Sequence, residues 1–309
     1  MNNGAALVDL LARGELVLTE GSVYELLRRD ERIRFDPHIA HAGLIYDSSS
    51  RDVLAKVHRQ YIEIAARHRL PLVAFADTWR ASAERIAASV FHGQAVNRDN
   101  VEFLRAVASG TQARVFIGAL TGPRGDAYRP PEAPTAEEAM RYHSFQIDEL
   151  AASGVDLIVA ATMPAFREAK AVAHLLARSR VPSMVSFVVR PEGTLLDGKP
   201  LGDAIREIDD ATDRALLGYS INCVHPDVAL QALLHLPSAL RARVLAFQGN
   251  TSSLSPEEVD GLPHVDSMDA QPFAAAVGTL LGGTGIRMVG GCCGTDGSHI
   301  DALACVLTL

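Results

Sequence analysis

Three cysteines carry the most legible chemistry in this chain. Cys223 closes Tyr219-Ser220-Ile221-Asn222-Cys223, and the adjacent pair Cys292 and Cys293 stands in Val289-Gly290-Gly291-Cys292-Cys293-Gly294-Thr295. Each follows a short apolar run of strand character. If those runs end on one rim of a barrel, thiols far apart in sequence converge. Three thiolates with a fourth position open is the arrangement of a zinc site that binds and activates something. Zn²⁺ is redox-inert, accepts soft sulfur ligands and favours thiolate over thiol in an incoming acceptor, which makes a nucleophile at neutral pH. Gly290, Gly291 and Gly294 are expected to let the backbone turn sharply, so that both adjacent side chains reach one ion. The same spacing is also met by buried small residues, or by an oxidised vicinal pair with Cys223 unrelated. Spacing alone leaves both readings open. Cys305, in an apolar stretch near the end, reads as a small core residue.

The elements that must position these thiols recur along the whole chain. Strand candidates fall at residues 16–20, 72–76, 115–120, 157–161, 183–189, 216–223, 243–248 and 286–289. They are nearly continuous apolar runs, as expected of parallel strands buried on both faces. Helical patterns lie between them. Residues 51–68 place Val53, Leu54, Val57, Tyr61, Ile62 and Ala65 at helical spacing. Thr135-Ala136-Glu137-Glu138 is a capping box opening a helix to about residue 152, and Ser255-Pro256-Glu257-Glu258 signals another helix start. Alternating strands and helices imply a parallel sheet. An open doubly wound sheet shares the alternation, but eight units is the count of a (β/α)8 TIM barrel, expected here as a single domain over residues 1–309. The Pro/Gly-rich stretch 122–134 follows the third strand and reads as a long loop on the functional rim.

Composition narrows the partners. Of 309 residues, 48% are hydrophobic and 21% charged, and the formal net charge is −8. No Lys/Arg-rich stretch offers a footprint for nucleic acid, so a small molecule is the expected partner. No apolar run approaches the ~18 residues of a membrane span. The N-terminal apolar run is broken by Asp9, Arg13 and Glu15, which argues against a signal peptide and makes the cytoplasm the default compartment. Four cysteines are too few for a disulfide framework. Assembly into a homo-oligomer is left open. His38 and His41 read as surface or loop histidines, and His299 as an ordinary first-turn helix residue. Gly282-Gly283-Thr284-Gly285 precedes a strand, the wrong context for a phosphate loop.

The paired-cysteine motif resembles the C-terminal zinc motif of the homocysteine S-methyltransferase family. Ile221-Asn222-Cys223-Val224 with Pro226 is similar to that family's first cysteine motif. Residues 14–21 resemble its opening strand and acidic-glycine turn. Val185-Ser186-Phe187, with Gly193-Thr194-Leu195 and Asp197-Gly198, is similar to its fifth-strand region. The resemblance implies a zinc-containing (β/α)8 barrel that moves a methyl group from a small-molecule donor onto a thiol acceptor, homocysteine or a related thiol. It implies Cys223, Cys292 and Cys293 as ligands of Zn²⁺, and Glu20 and Gly21 as lining of the pocket, with Asn222 beside them.

The chain departs from the family pattern where the amino acid is held. After the fourth strand the family has Glu-Thr-(Ile/Met)-Pro, whose acid grips the substrate ammonium; this chain reads Ala160-Ala161-Thr162-Met163-Pro164. The opening turn is Glu20-Gly21-Ser22 in place of Asp-Gly-Gly, and the second strand ends Ala76-Asp77-Thr78-Trp79-Arg80. An unpaired buried charge costs several kcal/mol. Asp77 compensates from a neighbouring strand end, or Arg80 holds a carboxylate in a forked contact, or both are solvated loop charges. Homocysteine is therefore expected to be a poor acceptor. The alternative function is a zinc-containing thiol-binding protein without methyltransferase turnover.

Overall fold

A computed structural model describes residues 3–255, 258 and 267–308. Eight strands form a closed barrel: β1 (Val17–Thr19), β2 (Leu72–Ala76), β3 (Val115–Thr121), β4 (Leu157–Met163), β5 (Ser183–Phe187), β6 (Gly218–Asn222), β7 (Val244–Gly249) and β8 (Met288–Gly291). All pair in parallel with their chain neighbours. β8 closes on β1 through Val17↔Met288 and Leu18↔Val289, and this pairing excludes the open sheet. Each of the eight sequence candidates contains or overlaps one strand.

The continuous apolar runs have a physical cause. Alternate residues of each strand face opposite sides of the sheet, and here both sides are dry. Val73 and Phe75 join Val17, Phe116, Val159, Met184 and Met288 in one cluster, while Leu72, Ala74 and Ala76 join the cluster made with the surrounding helices. The helix Asn3–Ala12 adds Leu7, Leu10 and Leu11 to the first cluster and so covers the N-terminal end of the barrel. The opposite end is left to the loops.

Helix starts follow their caps. Asp47 accepts from Ser50 N at 2.8 Å to open Ser48–His68. Thr135 and Glu138 make the capping box that opens Ala136–Ala152. Asp296 and His299 make another at the start of Gly297–Leu307, so His299 is a first-turn residue as expected. Ser255 and Glu258 make the reciprocal side-chain bonds of a helix start, whereas Pro256 and Glu257 lie outside the described residues. One expectation fails. Cys305 is exposed, because Gly297–Leu307 turns Ala302, Leu303 and Ala304 inward and leaves the next position facing solvent.

The glycines before the cysteine pair work by closeness. Of Gly290, Gly291 and Gly294, only the last, just after the pair, takes a left-handed backbone, at φ 84°. Gly290 belongs to β8, where a Cβ would stand 2.7 Å from Glu20 O and 2.8 Å from Thr19 O, both backbone atoms of β1's end. Barrel closure therefore demands glycine there. Gly290→Ala should lose about 1–3 kcal/mol of stability, the usual cost of overpacking. Urea unfolding checks this, and a variant as stable as wild type contradicts the close approach.

Candidate metal centre and active cavity

The barrel brings all three predicted thiols together. Cys223 follows β6, Cys292 and Cys293 follow β8, and their sulfurs all lie within 4.8 Å of one another. Cys223 Sγ and Cys292 Sγ are 2.7 Å apart. The backbone is fastened on both sides. Cys292 N donates to Gly249 O at 2.7 Å, and Cys293 N donates to the Asn250 side-chain oxygen at 3.1 Å, so the loop after β7 aligns the pair. Cys223 takes φ 58° and Thr162, at the end of β4, φ 60°. Such a backbone is uncommon for any residue with a Cβ, and rarer still for a branched one; each instance stores roughly 1–3 kcal/mol.

Asn222 holds this strained corner in place. Its oxygen accepts from Ser186 Oγ at 2.6 Å and Thr162 N at 3.1 Å, and its amide donates to Thr162 Oγ1 at 2.7 Å and Cys223 Sγ at 3.3 Å. Asn222 lines the cavity, but its bonds are made within the protein. The sulfurs share their protons unequally. Hydrogen bonds from Cys292 and Cys293 draw the Cys223 thiol well below its ordinary value, and the same contacts push the other two up. The Tyr128 phenol, from the loop after β3, is pushed up by the charge on Cys223 and by burial. That loop therefore reaches the rim that carries the cysteines, as its composition suggested.

Above the sulfurs is a cavity of about 540 Å³, lined by Glu20, Gly21, Asp77, Arg80, Ala161 and Tyr128 among others. Its wall holds a buried ionic chain that sequence reasoning missed. His58 Nδ1 meets Glu20 Oε1 at 2.6 Å, and His58 Nε2 meets Asp77 Oδ2 at 3.0 Å. Asp77 Oδ1 is 3.1 Å from His41 Nε2, and Glu20 Oε2 accepts from Phe75 N at 2.8 Å. Burial disfavours a charged His58, but the two carboxylates outweigh it and push the imidazole up to about 10. Burial likewise acts against the Asp77 carboxylate; the charge of His58, with hydrogen bonds from both histidines, holds it well below the usual range. Asp77 is thus no solvated loop charge, being 3% exposed, and His41 is buried, not superficial. The available signal was position. His58 sits on the apolar face of its helix, with Leu54, Tyr61 and Ile62.

Comparison with known proteins agrees with this geometry. The sequence profile of the homocysteine S-methyltransferase family matches residues 17–307. The chain belongs to that family. It is 29% identical over 182 residues to homocysteine S-methyltransferase of Escherichia coli (strain K12), covering 58% of this chain and 56% of that protein. It is 24% identical over 321 residues to betaine–homocysteine S-methyltransferase 1 of Rattus norvegicus, covering 96% of this chain and 74% of that one. The chain spans little more than half the length of two bacterial relatives it matches, 56% in E. coli and 60% in Bacillus subtilis. In fold it is similar to the metallated form of the homocysteine methyltransferase MmuM from E. coli, at a TM-score of 0.75 and 24% identity over 97% of this chain and 98% of that one.

In this member of the homocysteine S-methyltransferase family, Trp79 occupies the wall beside Ala161. Its indole Nε1 is 3.5 Å from Ala161 O, and Arg80 stacks on the ring at 4.2 Å. Arg80 also donates through Nη1 to Pro123 O and Gly125 O. Gly21 stands against Tyr61, whose hydroxyl would lie 2.7 Å from a Cβ there.

The ionic chain sets a pH signature. The His58 pKa is raised on folding, so its stabilisation is complete below about pH 6.5, the unfolded value, and is lost as pH rises through about 10. His58→Gln should remove this alkaline loss and cost about 3–5 kcal/mol at neutral pH, because two carboxylates stay buried without their partner. Urea unfolding from pH 6 to 10.5 on both proteins tests it. Parallel pH profiles refute the charged imidazole.

Proposed function

We propose that this chain is a methyltransferase that moves a methyl group onto the sulfur of a small thiol, with zinc held by Cys223, Cys292 and Cys293. The convergence of those three sulfurs at the floor of one cavity is the observation that carries the reading. The donor set fits the ion. Three thiols whose sulfurs lie within 4.8 Å of one another, at the end of one cavity, are soft ligands of the kind Zn²⁺ takes, and an ion among them would part Cys223 and Cys292 from their 2.7 Å contact. Two uncompensated thiolates in so small a space repel strongly, and a divalent cation removes that repulsion. When bound, zinc supplies the positive charge that keeps an acceptor sulfur as thiolate near neutral pH.

The chain's own residues do the remainder. Asn222 fixes the direction of Cys223, Asn250 fixes Cys293, and the loop carrying Tyr128 walls the cavity that holds the sulfurs. In the transfer, a new S–CH₃ bond forms as the donor's bond to that methyl breaks, its electron pair staying with the donor. The acceptor's thiol proton leaves to solvent. Relatives are named for homocysteine or selenocysteine as acceptor and for betaine as donor, which supports a small amino-acid thiol and a small methylated donor here. Ala161 offers no carboxylate for an acceptor ammonium. Glu20, Glu25, Asp77 and Asp126 are the carboxylates that line the cavity instead.

The purified reduced chain should carry about one zinc, and Cys292→Ser should lose most of it while keeping the barrel's circular dichroism. Elemental analysis reads the metal, and mass spectrometry of thiols incubated with S-methylmethionine or betaine reads the transfer. Zinc retained by the triple serine variant at 223, 292 and 293 would remove the metal reading. Thiol binding without methylation of any thiol would favour a binding protein over an enzyme.

A further inference from the structure

Arg80 and Arg85 grip three consecutive carbonyls of the loop after β3. Arg80 Nη1 donates to Pro123 O at 2.8 Å and Gly125 O at 2.9 Å, and Arg85 Nη2 donates to Arg124 O, between them, at 3.1 Å. Arg85 is fixed further by His38 O at 3.1 Å and Tyr142 Oη at 3.0 Å. Sharing one short stretch of loop sets the two guanidiniums side by side, and both line the cavity that holds the cysteines.

Neither arginine has an ion-pair partner within 4 Å among the described residues. The surrounding acids are committed elsewhere. Glu25 pairs with Arg28 and Arg29, Glu20 and Asp77 with His58, and Glu84 and Glu138 with Arg124. Asp126, on the same loop, accepts from Tyr128 N at 2.7 Å. Every acceptor that Arg80 and Arg85 have found is a neutral oxygen. Two part-buried guanidiniums in contact with one cavity therefore make no direct ion pair, with only the field of the Asp126 carboxylate reaching Arg80, and a planar carboxylate is the anion such forks match. Their proximity is also felt electrostatically. Burial lowers the Arg80 pKa most, and the charge of Arg85 lowers it further.

We infer that Arg80 and Arg85 form a carboxylate-binding subsite that anchors the far end of an amino-acid ligand in the cavity of Cys223, Cys292 and Cys293. The carboxylate belongs either to the thiol acceptor or to the methyl donor. The inference rests on the methyl-transfer reading for the choice of ligands, not for the existence of the subsite. The two arginines were built rigid for this role. Arg80 is held by two carbonyls and the Trp79 ring, Arg85 by two carbonyls and a phenol, so little side-chain freedom is lost when an anion docks.

Trp79 is the chain's single tryptophan and touches Arg80, so its fluorescence reports on this wall without any need for turnover. The test is titration of the zinc-loaded full chain with two matched pairs. Homocysteine is set against 3-aminopropanethiol, and S-methylmethionine against (3-aminopropyl)dimethylsulfonium; each pair differs by one carboxylate. Wild type should bind at least one carboxylate-bearing member more tightly than its counterpart. Arg85→Gln should weaken that member about ten- to a hundred-fold and leave the counterpart unchanged, as expected for loss of a charge-assisted contact. The pair that responds identifies the source. Arg80→Lys, which keeps the charge and loses the fork, should fall between. Absence of any carboxylate preference in wild type, equal weakening of both members, or no binding by any of the four overturns the subsite. Arg85→Gln alone decides if Arg80 variants fail to fold. Carboxylate-dependent binding without methyl transfer would sink the proposed activity and leave the subsite standing.

Discussion

Everything at this site depends on forcing three sulfur atoms into one small volume. Thiols have no strong mutual attraction, and thiolates repel, so the cost must be met by the scaffold. Closure of the barrel does it. Parallel pairing of β6 with β7 and β7 with β8 carries Cys223 to the same rim as Cys292 and Cys293, and Gly249 and Asn250 fasten the pair to the neighbouring strand end. The left-handed backbone at Cys223 is the visible strain of that demand. Strain of this kind persists where surrounding bonds over-determine it, and Asn222 with Ser186 and Thr162 provides them.

Behind the sulfurs the barrel holds charge in an orderly way. Glu20 and Asp77 share one imidazolium, His58, which is completely buried, and each carboxylate has a further partner in Phe75 N or His41. Breaking one member strands the others in low dielectric, which makes the group a unit and not a set of separate contacts. This unit also fixes the second strand end, where Trp79 and Arg80 project. Wall and floor of the cavity are therefore linked through β1 and β2: Glu20 O receives Gly291 N beside the cysteine pair, while the Glu20 side chain orders His58.

Membership of the homocysteine S-methyltransferase family and departure from its pattern are both seen in the same cavity. The sulfur floor keeps the paired-cysteine motif. The wall has changed: Ala161 stands beside the Trp79 indole, and two arginines face the space with no ion-pair partner within 4 Å among the described residues. In the proposed reaction the floor residues meet the metal and the reacting sulfur, whose chemistry tolerates little change. Wall residues meet the remainder of the ligands, so they are free to vary with ligand identity.

The sequence by itself determined the eight-fold alternation and the parallel pairing, and its resemblance to a known family singled out the three thiols, whereas closure of the barrel was settled by the pairing of β8 with β1. Continuous apolar runs between amphipathic helices have few other solutions, and the spacing of Cys223 from Cys292 and Cys293 matches strand ends two apart in the barrel. Other features were decided by tertiary structure. His58 is one polar residue on an apolar helix face, and nothing local says that Glu20 and Asp77 arrive on either side of it. Arg85 reads as a helix-surface charge until the loop after β3 folds against it. Cys305 belongs to an apolar run, yet one step around its helix turns it to solvent. Periodicity is a property of neighbours along the chain, so it is legible in sequence. Charge pairing and burial are set by elements that meet only when the barrel closes.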